Sequence, residues 1–81
     1  MATTTTPEAV EATVRDAIAS FGPEPEDITR EATFEALDVD SLDLAELSQI
    51  VQEQYGVELT QADVKEIKTV GQAIDVIVSR A

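Results

Sequence analysis

The longest amphipathic run in the chain extends from Ser41 to Tyr55, and it constrains the fold more than any other feature. On a helical wheel centred on Leu47, the run separates into two faces. The apolar face requires partner helices, because an isolated helix of this length is marginal in water. The side chains expected on the buried face are Leu44, Leu47, Ile50, Val51, Gln54 and Tyr55, and those on the opposite face are Leu42, Ala45, Glu46, Gln49, Gln52 and Glu53.

Three further helices are indicated by capping residues that precede apolar side chains at helical spacing. Thr6 before Pro7 opens the first, Thr60 opens a short one and Thr69 opens the last. A long connection, residues 22–39, separates the first helix from the amphipathic run. The sequence therefore predicts an all-α fold, a small bundle of three main helices plus one short helix, with a long loop between the first and second helices.

The long loop is expected to be fixed by apolar anchors and to contain one helical turn, because a structureless loop of this length is unusual in a small domain. The turn is expected between Glu31 and Ala36. Residues 1–81 are expected to form a single domain, with residues 1–5 disordered. The expected anchors of the loop are Ile28, Phe34 and Leu37.

The composition excludes several kinds of chemistry. The chain contains no cysteine and no histidine, which rules out disulfides, thiolate catalysis, imidazole acid–base catalysis and the common zinc sites. No apolar run approaches the length of a membrane span, and the N-terminus lacks a basic region leading into an apolar one. We therefore expect a cytoplasmic protein.

The charge is strongly and unevenly acidic. The net charge is −12, and no basic residue occurs between Arg30 and Lys65. Nucleic acids and anionic membranes are unfavourable partners for such a field, whereas a basic protein surface is a favourable one. The alternative is that the acids only keep the protein soluble. The acidic residues of this interval are Glu31, Glu35, Asp38, Asp40, Asp43, Glu46, Glu53, Glu58 and Asp63.

Ser41, at the start of the amphipathic helix, has two interpretations. Serine at this place is most often the helix cap. Asp40 is also a good cap, with Asp43 three residues later, and would leave the Ser41 hydroxyl pointing outward. A phosphate attached there would face free N–H groups and the positive end of the helix dipole. Self-catalysis is not expected, because no base of the imidazole type is available.

A stripe of four residues follows one edge of the same helix: Leu42, Glu46, Gln49 and Glu53. An exposed leucine followed by regularly spaced glutamates would form a docking strip for a basic partner. The alternative is that Leu42 folds back onto the preceding loop while the glutamates are simply solvated.

These features together resemble the acyl carrier protein family. The likeness includes Asp40-Ser41-Leu42, the Tyr55-Gly56-Val57 end of the helix and the Thr69-Val70-Gly71 start of the last helix, together with the spacing of the loop anchors. It covers essentially the whole chain.

The resemblance implies that Ser41 receives 4'-phosphopantetheine from coenzyme A through a separate transferase. The thiol of this arm carries the acyl group, which would account for the absence of cysteine. By the same resemblance the protein is a carrier and not an enzyme. It is expected to be a monomer, without nucleic acid or membrane partners, that meets basic patches on the phosphopantetheinyl transferase, acyltransferases and ketosynthase-type enzymes. The implied docking residues are Asp40, Leu42, Asp43, Glu46, Gln49 and Glu53.

The chain departs from the family pattern at two places. Asp38 stands where the commonest pattern has glycine, and aspartate is able to adopt the left-handed backbone that such a turn requires. The segment Leu37–Leu42 is also similar to the variant found in actinobacterial fatty-acid carriers. Gln49 and Gln52 replace an apolar and an acidic residue that are common on the docking helix, which leaves the set of partners open.

The sequence is compatible with three functions. The first is a discrete carrier for fatty-acid biosynthesis, and the second is a carrier of a dissociated type II polyketide synthase. The third is an acidic helical interaction module without a prosthetic group, in which Ser41 is only a cap. If the protein is a carrier, a core poor in aromatic residues would be able to part around an acyl chain; the alternative is an ordinary packed core. The candidate pocket residues are Leu47, Ile50, Val51, Ile67 and Ile74.

Overall fold

The computed structural model describes residues 6–81, and within them the chain forms four α-helices. They are α1 (Pro7–Ser20), α2 (Ser41–Tyr55), α3 (Gln61–Glu66) and α4 (Val70–Arg80). The predicted all-α fold is confirmed, including the brief third helix and the long loop before α2. The prediction of disorder for residues 1–5 lies outside the described residues.

Local capping bonds define where the helices start. The Thr6 side chain accepts a hydrogen bond from the backbone of α1, and Thr60 and Thr69 each open a reciprocal capping box. Gly56 ends α2 in the left-handed conformation, at φ 70°. These boundaries depend on residues a few positions apart, which is why the sequence predicted them.

The core lies where α1 packs against both α2 and α4. Val10, Val14 and Ile18 of α1 are fully buried between the other two helices. The expected position of Gln54 in the buried face of α2 is wrong, because this side chain is exposed at the rim of a shallow groove beside Asp16. Its polar amide remains hydrated there. The buried core consists of Val10, Val14, Ala17, Ile18, Ile28, Phe34, Leu37, Val39, Leu47, Val51, Val57, Ile67, Val70, Ala73, Ile74 and Ile77.

The long loop is anchored as predicted and contains short turns. Its three predicted anchors are all buried. The turn expected between Glu31 and Ala36 is present but lies slightly later in the chain: the N–H of Leu37 donates to the carbonyl of Thr33 at 3.1 Å, and the N–H of Asp38 donates to that of Glu35 at 3.1 Å. A 3-10 turn at Pro25–Asp27 was not expected. Pro25 presets the backbone for that turn. Thr33, at the start of the later turn, also forms an isolated antiparallel bridge with Thr69.

Main-chain hydrogen bonds join the loop to the start of α4. The N–H of Val70 donates to the carbonyl of Ala32 at 3.0 Å, and the N–H of Gly71 donates to that of Arg30 at 2.9 Å. A Cβ at Gly71 would lie 3.0 Å from the same Arg30 oxygen, so only glycine permits this approach without a shift. The Arg30 guanidinium also pairs with Asp75 at 2.8 Å. The loop is thereby fixed to α4 before it turns toward α2.

None of the helices formed by residues 6–81 is long and apolar enough to cross a bilayer.

Candidate functional site

A tight turn delivers the chain to the start of α2. Asp38 occupies the left-handed region at φ 61°, which confirms the expectation that aspartate replaces glycine there. The N–H of Val39 donates to the carbonyl of Phe34 at 2.9 Å, and the Val39 side chain is buried. The turn therefore rests on the core on one side and presents Asp40 to solvent on the other.

Asp40, and not Ser41, caps α2. The N–H of Asp43 donates to Oδ1 of Asp40 at 3.0 Å, and a longer contact of 3.5 Å runs from the N–H of Asp40 to Oδ2 of Asp43. Ser41 is the first residue of the helix and is exposed. Of the two interpretations of Ser41, the one in which its hydroxyl is not used for capping is correct.

The hydroxyl of Ser41 differs from those of the other three serines. Ser20 donates to the carbonyl of Ala17 at 2.5 Å, Ser48 to that of Leu59 at 3.2 Å and Ser79 to that of Val76 at 2.9 Å. The Ser41 hydroxyl has no hydrogen-bond partner among the described residues. It is therefore the serine oxygen that an approaching reagent reaches without breaking a protein hydrogen bond.

A groove opens beside Ser41, between α2 and α3. Its volume is about 450 Å³, within the range of small-molecule sites. Along α2, Ser41, Ala45 and Ser48 line one wall, at a spacing that covers about 10 Å of helix at 1.5 Å per residue. The opposite side is formed by Leu59, Gln61, Val64 and Lys65.

The wall formed by α3 depends on an ion pair with α4. Arg80 donates to both carboxylate oxygens of Asp63, with an Nη2–Oδ1 distance of 2.7 Å, and to the carbonyl of Glu58 at 3.3 Å. The hydrogen bond from Arg80, together with those from the backbone and hydroxyl of Thr60, holds the pKa of the Asp63 carboxyl well below its usual range. This pair and the buried Ile67 hold a helix of six residues in place.

The predicted docking residues occupy one exposed edge of α2, with one exception. Leu42 is 76% exposed, so the alternative in which it folds back onto the loop is wrong. Glu46, Gln49 and Glu53 continue the same stripe and are exposed, as is Asp40. The exception is Asp43, which is half-buried and whose carboxylate takes part in the capping box.

The predicted acyl-pocket residues lie inside the bundle, away from the groove. Leu47, Val51, Ile67 and Ile74 are buried in the core, and Ile50 is half-buried on the side of α2 that faces α1. None of the five lines the groove beside Ser41.

The groove residues themselves were not predicted as a site. Ala45 and Ser48 follow Ser41 at helical spacing, so the sequence contained a signal for that wall. The α3 wall depends on where α3 lies relative to α2, which no local pattern specifies. The one sequence signal for this wall was Lys65, because it is the first basic residue after Arg30.

No metal site accompanies the groove: within residues 6–81, no cluster of three or more acidic side chains is arranged to hold a metal ion.

The family comparison agrees with this geometry. A family model described as a phosphopantetheine attachment site matches residues 12–77, a range that includes α2, α3 and the groove between them. Domains of this family bind 4'-phosphopantetheine covalently and serve as carriers that are generally not catalytic. Since the match covers most of the chain, the protein belongs to the phosphopantetheine attachment site family, in agreement with its resemblance to acyl carrier proteins.

Proposed function

We propose that Ser41 bears the phosphopantetheine arm and that the protein carries acyl groups as thioesters on it. The observation that carries this proposal is that the Ser41 hydroxyl is free to react. Ser41 is exposed and has no partner among the described residues, whereas the hydroxyls of Ser20, Ser48 and Ser79 donate to backbone carbonyls.

The surroundings of Ser41 fit such a group. Because Asp40 caps the helix, the N–H groups of Ser41 and Leu42 have no acceptor among the described residues and are available to phosphate oxygens. The groove of about 450 Å³ beside the hydroxyl leaves room for part of an arm to lie against the protein.

Attachment requires a separate enzyme to move the proton. The Ser41 oxygen forms a bond to the phosphorus that carries pantetheine, the pyrophosphate bond of coenzyme A breaks, and the adenosine bisphosphate part leaves. The hydroxyl proton passes to a base on the transferase, because this chain has no histidine to accept it. Once attached, the arm supplies the thiol that this cysteine-free chain lacks.

The exposed edge of α2 is the proposed docking surface. Its apolar contact is Leu42, and Glu46 and Glu53 add negative charge beside it. A surface of this kind favours fast, salt-sensitive association with basic patches on the transferase, on acyltransferases and on ketosynthase-type enzymes. A monomer in the cytoplasm is the form that suits exchange among several such partners.

The proposed pathway is fatty-acid biosynthesis, which follows from the similarity of the segment around Asp38 to fatty-acid carriers. A dissociated polyketide synthase is the second candidate, and one observation favours it. The groove beside Ser41 is lined partly by polar side chains, those of Ser48, Gln61 and Lys65. The two are separated by loading the protein and measuring whether a fatty-acid or a polyketide ketosynthase accepts it.

A long acyl chain would be protected by entry between the core residues of α2 and α3–α4. Each buried methylene contributes about 0.8 kcal/mol, so the melting temperature should rise with acyl chain length. A melting temperature that is independent of chain length would contradict this part of the proposal. The residues concerned are Leu47, Ile50, Val51, Ile67 and Ile74.

The carrier function is tested by intact mass spectrometry. The purified protein is incubated with coenzyme A and a phosphopantetheinyl transferase of broad specificity. We expect a gain equal to one phosphopantetheine group. An unchanged mass, under conditions in which a known carrier protein is fully modified, would support the interaction module without a prosthetic group.

A further inference from the structure

The charges immediately around Ser41 oppose the phosphodiester that the proposed function places there. Asp40 precedes it and Asp43 follows two residues later, in a chain whose net charge is −12. The capping box also occupies the N–H of Asp43, which would otherwise be a donor to the phosphate. Only the N–H groups of Ser41 and Leu42 remain in the first turn. A phosphodiester here is therefore incompletely compensated by α2 itself.

One cation lies in the wall of the adjacent groove. Lys65 lines the groove that also contains Ser41, is exposed, and forms no ion pair among the described residues. The three arginines are engaged elsewhere: Arg30 with Asp75, Arg80 with Asp63, and Arg15 with a backbone carbonyl. Lys65 is thus the free positive charge in the groove that begins at Ser41.

We propose that Lys65 is a positioning residue for the arm, its ammonium group forming a charge-assisted hydrogen bond to the phosphodiester on Ser41 and directing the arm into the groove between α2 and α3. The proposal rests on the proposed function. A carboxylate on the cargo is the other anion that Lys65 would attract, but it lies at the far end of a long flexible arm. The phosphate is bonded to an oxygen of the groove wall, so the geometry favours the phosphate.

A purely local role for Lys65 predicts a different result. Lys65 lies in the last turn of α3, where a positive charge interacts favourably with the helix dipole whether or not an arm is attached. A local role would therefore affect the apo and holo proteins equally. The proposed role affects the holo protein alone.

The experiment compares Lys65→Gln with Lys68→Gln, a matched control. Lys68 is also exposed and forms no ion pair among the described residues, but it does not line the groove. Each protein is prepared in the apo and holo forms, with attachment verified by intact mass. The readouts are the phosphorus NMR shift of the phosphodiester, at low and high salt, and the difference in denaturation midpoint between holo and apo protein.

We expect Lys65→Gln to change the phosphorus NMR shift of the holo protein and to remove the salt dependence of that shift. The same substitution should lower the denaturation midpoint of the holo protein more than that of the apo protein. Lys68→Gln should match the wild type in both. Equal behaviour of the two variants would overturn the proposal while leaving the carrier function intact. A mass gain absent from all proteins would overturn both. An effect seen in a malonyl-loaded but not an acetyl-loaded or holo protein would overturn it in favour of the cargo carboxylate.

Discussion

Asp40 and Asp43 exchange hydrogen bonds across the first turn of α2, and this exchange releases the serine between them from capping. If Asp40 is the cap, Asp40→Ala should lower the free energy of unfolding by about 1 kcal/mol, whereas Asp40→Asn should change it by only a few tenths. Urea denaturation measures both. Ser41→Ala is the control and should have little effect; a loss as large as that of Asp40→Ala would assign the cap to Ser41 instead.

The turn before α2 contains Asp38 in the left-handed conformation, at φ 61°, so substitutions at this position should change stability according to how well they tolerate that conformation. A β-branched residue in this conformation costs about 1–2 kcal/mol, so Asp38→Val should destabilise the protein by that amount. Asp38→Gly should be neutral or slightly stabilising. Equal stability of the valine and glycine variants in thermal or urea unfolding would show that the left-handed turn is absent.

Leu42 and Leu47 lie on the same helix and should respond oppositely to truncation. Leu47 is 2% exposed, so Leu47→Ala should cost about 2–5 kcal/mol of unfolding free energy. Leu42→Ala should remain within about 0.5 kcal/mol of wild type but slow modification by the transferase, because Leu42 is the apolar contact of the proposed docking surface. The check is a urea titration beside a modification time course. A Leu42→Ala variant modified at the wild-type rate would contradict the docking role.

The Asp63–Arg80 ion pair should make the folding stability of the protein depend on pH in the acid range. In the folded protein the pKa of Asp63 is held below its unfolded value of about 3.9. The ionised Asp63 carboxylate therefore contributes its full share of folding stability above about pH 4, and this stability is lost as the pH falls further. Asp63→Asn should therefore be less stable than wild type at neutral pH, with a difference that shrinks below about pH 4.

The measurement for this pair is the denaturation midpoint as a function of pH. Asp16→Asn is the control, since Asp16 is exposed and has no ion pair among the described residues. If the difference in denaturation midpoint between wild type and Asp63→Asn stays constant down to strongly acidic pH, the ionised carboxylate of Asp63 is not the source of the stabilisation.

The sequence predicted those features that depend on neighbouring residues. The boxes opened by Thr60 and Thr69, the end of α2 at Gly56 and the left-handed Asp38 are all set by side chains within one turn.

The features it missed depend on contacts between distant segments. The bridge from Thr33 to Thr69, which pairs the loop with the start of α4, was not expected from the sequence. The groove is similar: Ser41 and Lys65 lie in one site only because α3 lies beside the start of α2 in the folded chain. Local propensity carries no information about either arrangement.

A comparison of two serines in one groove tests whether Ser41 is the attachment point. Ser48 lines the same groove as Ser41, but its hydroxyl donates to the carbonyl of Leu59. After incubation with coenzyme A and transferase, Ser48→Ala should gain one phosphopantetheine group by intact mass, as the wild type does, and Ser41→Ala should gain none. Retention of the mass gain in a folded Ser41→Ala protein would show that Ser41 is not the attachment point.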